Sequence, residues 1–213
     1  MTIAVVVAHT PWRPHTGGGS TCNWSEYGLS ATVSALVGGA LRDVGETTDI
    51  VQMPERVMCA DGSQYIFRCS GDHSHRASCE RYNAGLRWSA REARRIAGTD
   101  GLALSFHFGR GRPGWDGPLC LVNPGPVAAV WATGYLASWR RLHGDPGRGV
   151  WELPKHRKLF PRNPCFLRDG PRDAVLIEMG NAASATDCSL FDDGIGLDLV
   201  PQAAAEATRS LLS

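Results

Sequence analysis

The stretch "AVLIEMG", residues 174–180, is an apolar run that ends on a carboxylate, and its reading decides the fold. Ala174, Val175, Leu176 and Ile177 are apolar without alternation, the pattern of a strand covered on both faces of a largely parallel sheet. Glu178 then enters the same environment, where a carboxylate costs free energy unless a neighbour pairs with it or a site uses it. The neighbouring segments must supply the reason.

Two other segments read as strands. Residues 2–8, "TIAVVVA", are β-branched and apolar throughout, and "GLALSFHFG" (101–109) sets Leu102, Leu104 and Phe106 against Ala103, Ser105 and His107. Shorter strands are expected around "TDIVQM" (48–53) and "PLCLVN" (118–123). Between them lie helical patterns. "SEYGLSATVSALVGGALRDVG" (25–45) places Leu29, Val33, Leu36, Val37, Ala40 and Val44 at helical spacing, with Ser25 as N-cap and Gly45 at the end. Residues 81–97 and 126–142 form further helices, with Pro126 near the start of the second, and 200–212 a closing one. Residues 54–80 and 143–164 carry no regular pattern and read as loops. Strands alternating with helices predict an α/β fold of the phosphorylase/hydrolase-like kind, one domain over residues 1–213 with a mostly parallel central sheet flanked by helices.

Composition narrows the function. With 43% hydrophobic and 20% charged residues and a net charge of +1, the chain is not one held to nucleic acid or to a membrane by bulk charge. The start, "MTIAVVVAH", has neither the basic opening nor the length of a signal segment, and no run reaches the roughly 18 apolar residues a bilayer needs. Synthesis in the cytoplasm is expected, with no obligate protein partner evident. Seven cysteines cannot all pair within one chain. Cys69, His73, His75 and Cys79 in "CSGDHSHRASC" are of types zinc accepts, but their spacing is unlike structural zinc sites, so reduced cysteines in a polar loop or a Cys69–Cys79 disulfide are the competing readings. The loop "TGGGST" (16–21) lacks the lysine of a phosphate-binding loop.

Three strands end on residues that bind metal or move protons: His9, His107 and Glu178. In open α/β sheets ligands bind beyond the carboxyl ends of the strands, so these residues converge on one edge. Glu26, in the first turn of the helix that follows the first strand, opens at that same edge. Two imidazoles and a carboxylate form a zinc site with an open position for water, and a further carboxylate is wanted to take that water's proton. The expected ligands of a Zn2+ ion are His9, Glu26 and His107, with Glu178 as catalytic acid/base. His15 is a rival to His9.

Those motifs resemble the zinc-dependent N-acetylmuramoyl-L-alanine amidases of the type with a glutamate between two histidine ligands. The likeness lies in "VVVAH", "SEYGLS", "LSFHFG" and "AVLIEMGNAASATD", in that order, with Asn181 and Asp187 echoing the family's tail after the catalytic glutamate. Departures are also present: His9 stands in "AHTPWRPH" where the family commonly has Gly-His-Gly-Gly, and Asn181 replaces the aromatic usual after Glu-x-Gly. The resemblance implies cleavage of the amide between N-acetylmuramic acid and L-alanine in peptidoglycan. A cleft lined by Trp12, Trp24, Trp115 and Arg110 is the corresponding expectation, as is a phage or prophage lysin reaching the wall through a membrane lesion after holin-type release. Rival readings are an amidase acting on recycled wall fragments, a zinc amidohydrolase or carboxypeptidase acting on a small acyl-amino acid, and a non-catalytic wall-binding relative.

Overall fold

The computed structural model describes residues 1–9, 22, 24–59, 61–67, 76–109, 114–123, 125–153 and 164–212, apart from the side chains of residues 76–79 and 81. Eight strands and six helices follow one another among them: β1 (Thr2–Val7), α1 (Glu26–Asp43), β2 (Thr47–Val51), β3 (Arg56–Met58), β4 (Gln64–Ile66), α2 (Arg76–Ala97), β5 (Leu102–Gly109), β6 (Leu119–Val122), α3 (Pro126–His143), β7 (Gly149–Glu152), α4 (Cys165–Asp169), β8 (Ala174–Asn181), α5 (Ala185–Asp192) and α6 (Ile195–Leu212). Six strands form the central sheet in the order β2-β1-β5-β8-β6-β7, and β3 and β4 make a separate hairpin.

The sheet is parallel except where β6 meets β8. The physical reason lies in the connection. Residues 110–118 link β5 to β6, too few for the helical crossover that a parallel neighbour requires. The expected α/β architecture, a mostly parallel sheet with helices on its faces, is therefore present.

Both faces are covered, which is why the strands are apolar in either direction. Ile3, Val5, Leu102, Leu104, Phe106, Val175 and Ile177 share one core with α1, α3 and α6. Ala4, Val6, Ala103, Leu119, Leu121, Ala174 and Leu176 share the other with α2 and α4. Alternation along β5 and β8 then places Ser105, His107 and Glu178 on the α2/α4 face. Helix α3 holds to the opposite core through Trp131, Tyr135 and Trp139, a fully buried stripe at four-residue spacing, with Trp131 Nε1 donating to Thr208 Oγ1 of α6 at 2.9 Å.

Several expectations need correction. Leu36 is 43% exposed; the buried stripe of α1 runs Leu29, Val33, Val37 and Leu41, with Ser30, Ser34 and Gly38 beside it. Small residues next to the stripe let a neighbouring element approach: a Cβ at Gly38 would lie 3.2 Å from Ile50 Cδ1. Helix α2 begins at Arg76, five residues before its expected start, and α6 begins at Ile195 with Pro201 inside it, although proline forfeits a backbone hydrogen bond there. The hairpin β3–β4, strand β7 and the short helices α4 and α5 fall in stretches whose sequence shows no periodicity.

Candidate metal and catalytic site

His9 lies two residues beyond the end of β1 rather than at its last position. Its position is fixed from below, because Ala8 N donates to the buried Ser30 Oγ of α1 at 2.8 Å. His9 itself has φ 61°, in the left-handed region and alone among the described non-glycine residues. Such a backbone costs on the order of 1–3 kcal/mol and persists where surrounding structure enforces it, characteristically at functional sites. Here it turns the imidazole towards the opening of α1.

Glu26 is the first residue of that helix, capped by Ser25, whose Oγ accepts from Gly28 N at 3.1 Å. One carboxylate oxygen gathers the set. Glu26 Oε1 lies 2.9 Å from His9 Nε2 and 3.2 Å from His107 Nδ1, and accepts from Phe108 N at 3.3 Å. A ligand atom from each of His9, Glu26 and His107 lies within 4.8 Å of the others. Burial pushes the Glu26 carboxyl up, but the hydrogen bonds from His107 and His9 and the charge of both rings outweigh it and hold the group well below the usual carboxylate range. His107 responds in the opposite sense: burial disfavours its charge, yet the bond to Glu26 and the nearby Glu178 and Glu26 charges raise its pKa.

The far nitrogen of each ring is occupied. Ser105 Oγ donates its proton to Val6 O at 3.2 Å and so accepts from His107 Nε2 at 3.1 Å, while Nδ1 donates to Glu26 and is the nitrogen that would give up its proton on ligating a metal. His9 Nδ1 lies 2.6 Å from the hydroxyl of Tyr82, a buried residue of α2. Rings held from behind, with their other nitrogens and a carboxylate turned to one point, are what a divalent transition metal requires, and the donor set fits one. His9 and His107 also help to line a partly open pocket of about 140 Å³, whose other walls include Val6, Leu86, Ala90, Phe166 and Leu176.

Glu178 stands beside this group, the Cα partner of His107 across β5 and β8. Its Oε2 is buried without a hydrogen-bond partner among the described residues. Burial raises its pKa, with His107 and Arg148 opposing and Glu26 adding to the shift. Gly109 makes room for it, since a Cβ there would lie 3.0 Å from Glu178 Oε2. An arginine could also account for a buried carboxylate. Arg148 is near, but its guanidinium hydrogen bonds run to Gly117 O at 2.8 Å and Gly180 O at 3.3 Å.

Asp187 secures the end of β8. It accepts from Asn181 N at 2.7 Å and from Gly117 N at 3.0 and 3.1 Å. A Cys22–Cys188 disulfide ties the segment entering α1 to α5, so Glu26 and the end of β8 share one covalent clamp.

The structure thus brings His9, Glu26, His107 and Glu178 to one edge. Trp24 does not line a cleft at that edge: it packs into the α1/α3/α6 core, 4.4 Å from Phe108 and 6.3 Å from Phe191 between ring centroids. Trp12, His15, Cys69, His73, His75 and Arg110, and the side chain of Cys79, lie outside the described residues. Tyr82 and the Cys22–Cys188 pair were not anticipated. Ser105 had a signal, the Ser-x-His pattern that puts both side chains on one face of a strand.

No protein-family model and no curated protein matches the sequence. Solved structures do match. The N-acetylmuramoyl-L-alanine amidase AmiC2 of Nostoc punctiforme is similar at 13% identity and TM-score 0.69, covering 100% of this chain and 97% of that one. The CwlD amidase from Clostridioides difficile, solved in complex with the GerS lipoprotein, is similar at 15% identity and TM-score 0.70, covering 99% and 98%. The catalytic domain of an endolysin targeting Clostridia difficile is similar at 16% identity and TM-score 0.61, covering 100% and 97%. At such identities the likeness is one of fold, and over its whole length this chain has the α/β fold of those solved amidases.

Proposed function

We propose that the protein is a zinc-dependent N-acetylmuramoyl-L-alanine amidase, hydrolysing the amide between N-acetylmuramic acid and L-alanine in peptidoglycan. The observation that carries the reading is the convergence of His9, Glu26 and His107 on one point with Glu178 alongside, at the carboxyl edge of this sheet.

His9 Nε2, His107 Nδ1 and the Glu26 carboxylate are the ligands that would hold the ion. Bound there, zinc supplies Lewis acidity to a carbonyl oxygen and to a water molecule. Tyr82 and Ser105 keep the two rings in the tautomer and orientation that ligation needs. Glu178 is the acid/base: its carboxylate takes the proton of the attacking water and delivers it to the leaving alanine nitrogen. Burial that raises its pKa improves the second half of that task, and Gly109 leaves room for the carboxylate beside His107.

Action at the cell wall accords with the Cys22–Cys188 bridge, since disulfides persist in oxidising surroundings. Among the described residues no helix is long and apolar enough to cross a membrane. A lysin released to the wall is the setting we favour, and an endolysin catalytic domain shares the fold.

Digestion of purified peptidoglycan, with and without a chelator, followed by mass analysis of soluble products, tests the reading. Stem peptides with a free L-alanine amine, formed with metal present and not without it, are the expected result. Metal binding without release of wall peptides would transfer the site to a small-substrate amidohydrolase.

A further inference from the structure

The part of the α2/α4 face nearest the sheet edge carries two tryptophans that the site above does not use. Leu119 of β6 is the Cα partner of Glu178, and Gly149 of β7 is the partner of Leu119. Trp151 lies two residues past Gly149, and so on the same face as Leu119, Leu121 and Glu178; it packs, partly buried, against the core of that face. Trp151 is the Cα partner of Leu121 and Leu121 that of Leu176, so Trp151 lies two strand spacings, about 10 Å, across the sheet from Leu176, two residues before Glu178. Trp115, in the segment leading into β6, meets Trp151 edge to face, with ring centroids 6.0 Å apart and ring planes at 86°, and is 37% exposed.

The segment bearing Trp115 is anchored to the catalytic strand. Gly117 N donates to Asp187, Gly117 O accepts from Arg148 Nε, and Arg148 also reaches Gly180 O. Gly117 has φ +78°, and a Cβ on it would fall 2.1 Å from Asp145 Oδ2, so the turn admits glycine alone. An exposed indole held this firmly loses little freedom when it binds a ligand.

We propose that Trp115, backed by Trp151, is a saccharide subsite that stacks on an amino-sugar ring of the glycan strand and holds the strand alongside Glu178. The substrate class rests on the amidase reading; the binding chemistry does not. One face of a pyranose presents several C–H groups, weakly positive and apolar, which match the negative face of an indole. A perpendicular indole pair leaves such a face available while fixing its angle.

The test is titration of the intact protein with the N-acetylglucosamine trisaccharide, read by calorimetry. Saturable binding is expected, at least about tenfold weaker in Trp115→Ala and partly kept in Trp115→Phe. Tyr65→Ala, on the exposed β3–β4 hairpin, should bind as the parent does. Unchanged melting of Trp115→Ala shows that its fold is retained. On polymeric peptidoglycan Trp115→Ala should raise KM about tenfold with kcat within about twofold. No binding by the parent, or equal binding by Trp115→Ala, overturns the subsite. Trisaccharide binding that depends on Trp115, in a protein that cleaves no wall, keeps the subsite and rejects the amidase.

Discussion

His107 and Glu178 are direct Cα partners on adjacent parallel strands, with both side chains on the α2/α4 face of the sheet. Their different surroundings assign different tasks. His107 is bonded at both ring nitrogens, to Glu26 and Ser105, whereas Glu178 Oε2 has no hydrogen-bond partner among the described residues. One side chain is held on both sides; the other keeps a buried oxygen with no such partner.

Metal removal follows first from this division. A chelator should abolish turnover, and zinc should restore it. Because the ion binds the folded state alone, saturating zinc at about a thousand times its Kd adds on the order of 4 kcal/mol to stability. Differential scanning calorimetry should therefore show a higher melting temperature with zinc than without. Coincident transitions would contradict a site of this affinity.

Ser105 and Tyr82 should tune the metal without being indispensable. Ser105→Ala and Tyr82→Phe each remove the group that holds a ligand ring from behind, and zinc affinity should fall by about 10- to 100-fold. Competition against a chelating dye reads the change directly. Affinity equal to that of the parent would mean that packing alone orients the rings.

The Cys22–Cys188 bridge closes a separation of 166 residues and clamps the entry to α1. Cys22→Ser should cost about 2–5 kcal/mol in urea unfolding. Cys59→Ser, at a free and partly exposed thiol, should leave the midpoint unchanged. A bridge without effect on the midpoint would contradict its role as a clamp.

Acid sensitivity can be traced to the pairing of α3 with α6. A hydrogen bond from Arg141 lowers the pKa of Glu206, so the pair stabilises the fold above the carboxyl's unfolded value of 4.5 and loses that contribution as pH falls through the lower folded value. The pair is solvent-exposed at Arg141, which limits the effect to about 1 kcal/mol or less. Arg141→Ala should melt slightly below the parent at pH 7, with the difference closing as pH falls below 4.5 and the Glu206 carboxyl is protonated. A difference persisting in acid would point to lost packing of the arginine stem instead.

How legible the fold was depended on covering. Strands β1, β5 and β8, apolar on both faces, and helices α1 and α3, with their long stripes, announce themselves in the residue pattern. Strand β7, with "GVWE", is a four-residue edge element, and β3 and β4 are three-residue strands; each is too short to establish a period. The site was legible for a related reason: β1 and β5 end close to His9 and His107, and Ser25 marks the turn that carries Glu26. Tyr82 could not be found that way. Its partnership with His9 spans 73 residues and depends on where α2 lies against the sheet, which no local pattern encodes. The Cys22–Cys188 pair is hidden likewise, since seven cysteines allow many pairings.

The most direct test of the account is to measure bound zinc and turnover together in Glu178→Gln. One zinc per chain, with kcat lowered by about 10²- to 10⁴-fold or more, is the predicted result, because the substitution removes the proton acceptor and spares the ligands. Loss of zinc, or turnover close to that of the parent, would contradict the assignment of Glu178 as the acid/base beside a His9, Glu26 and His107 metal site.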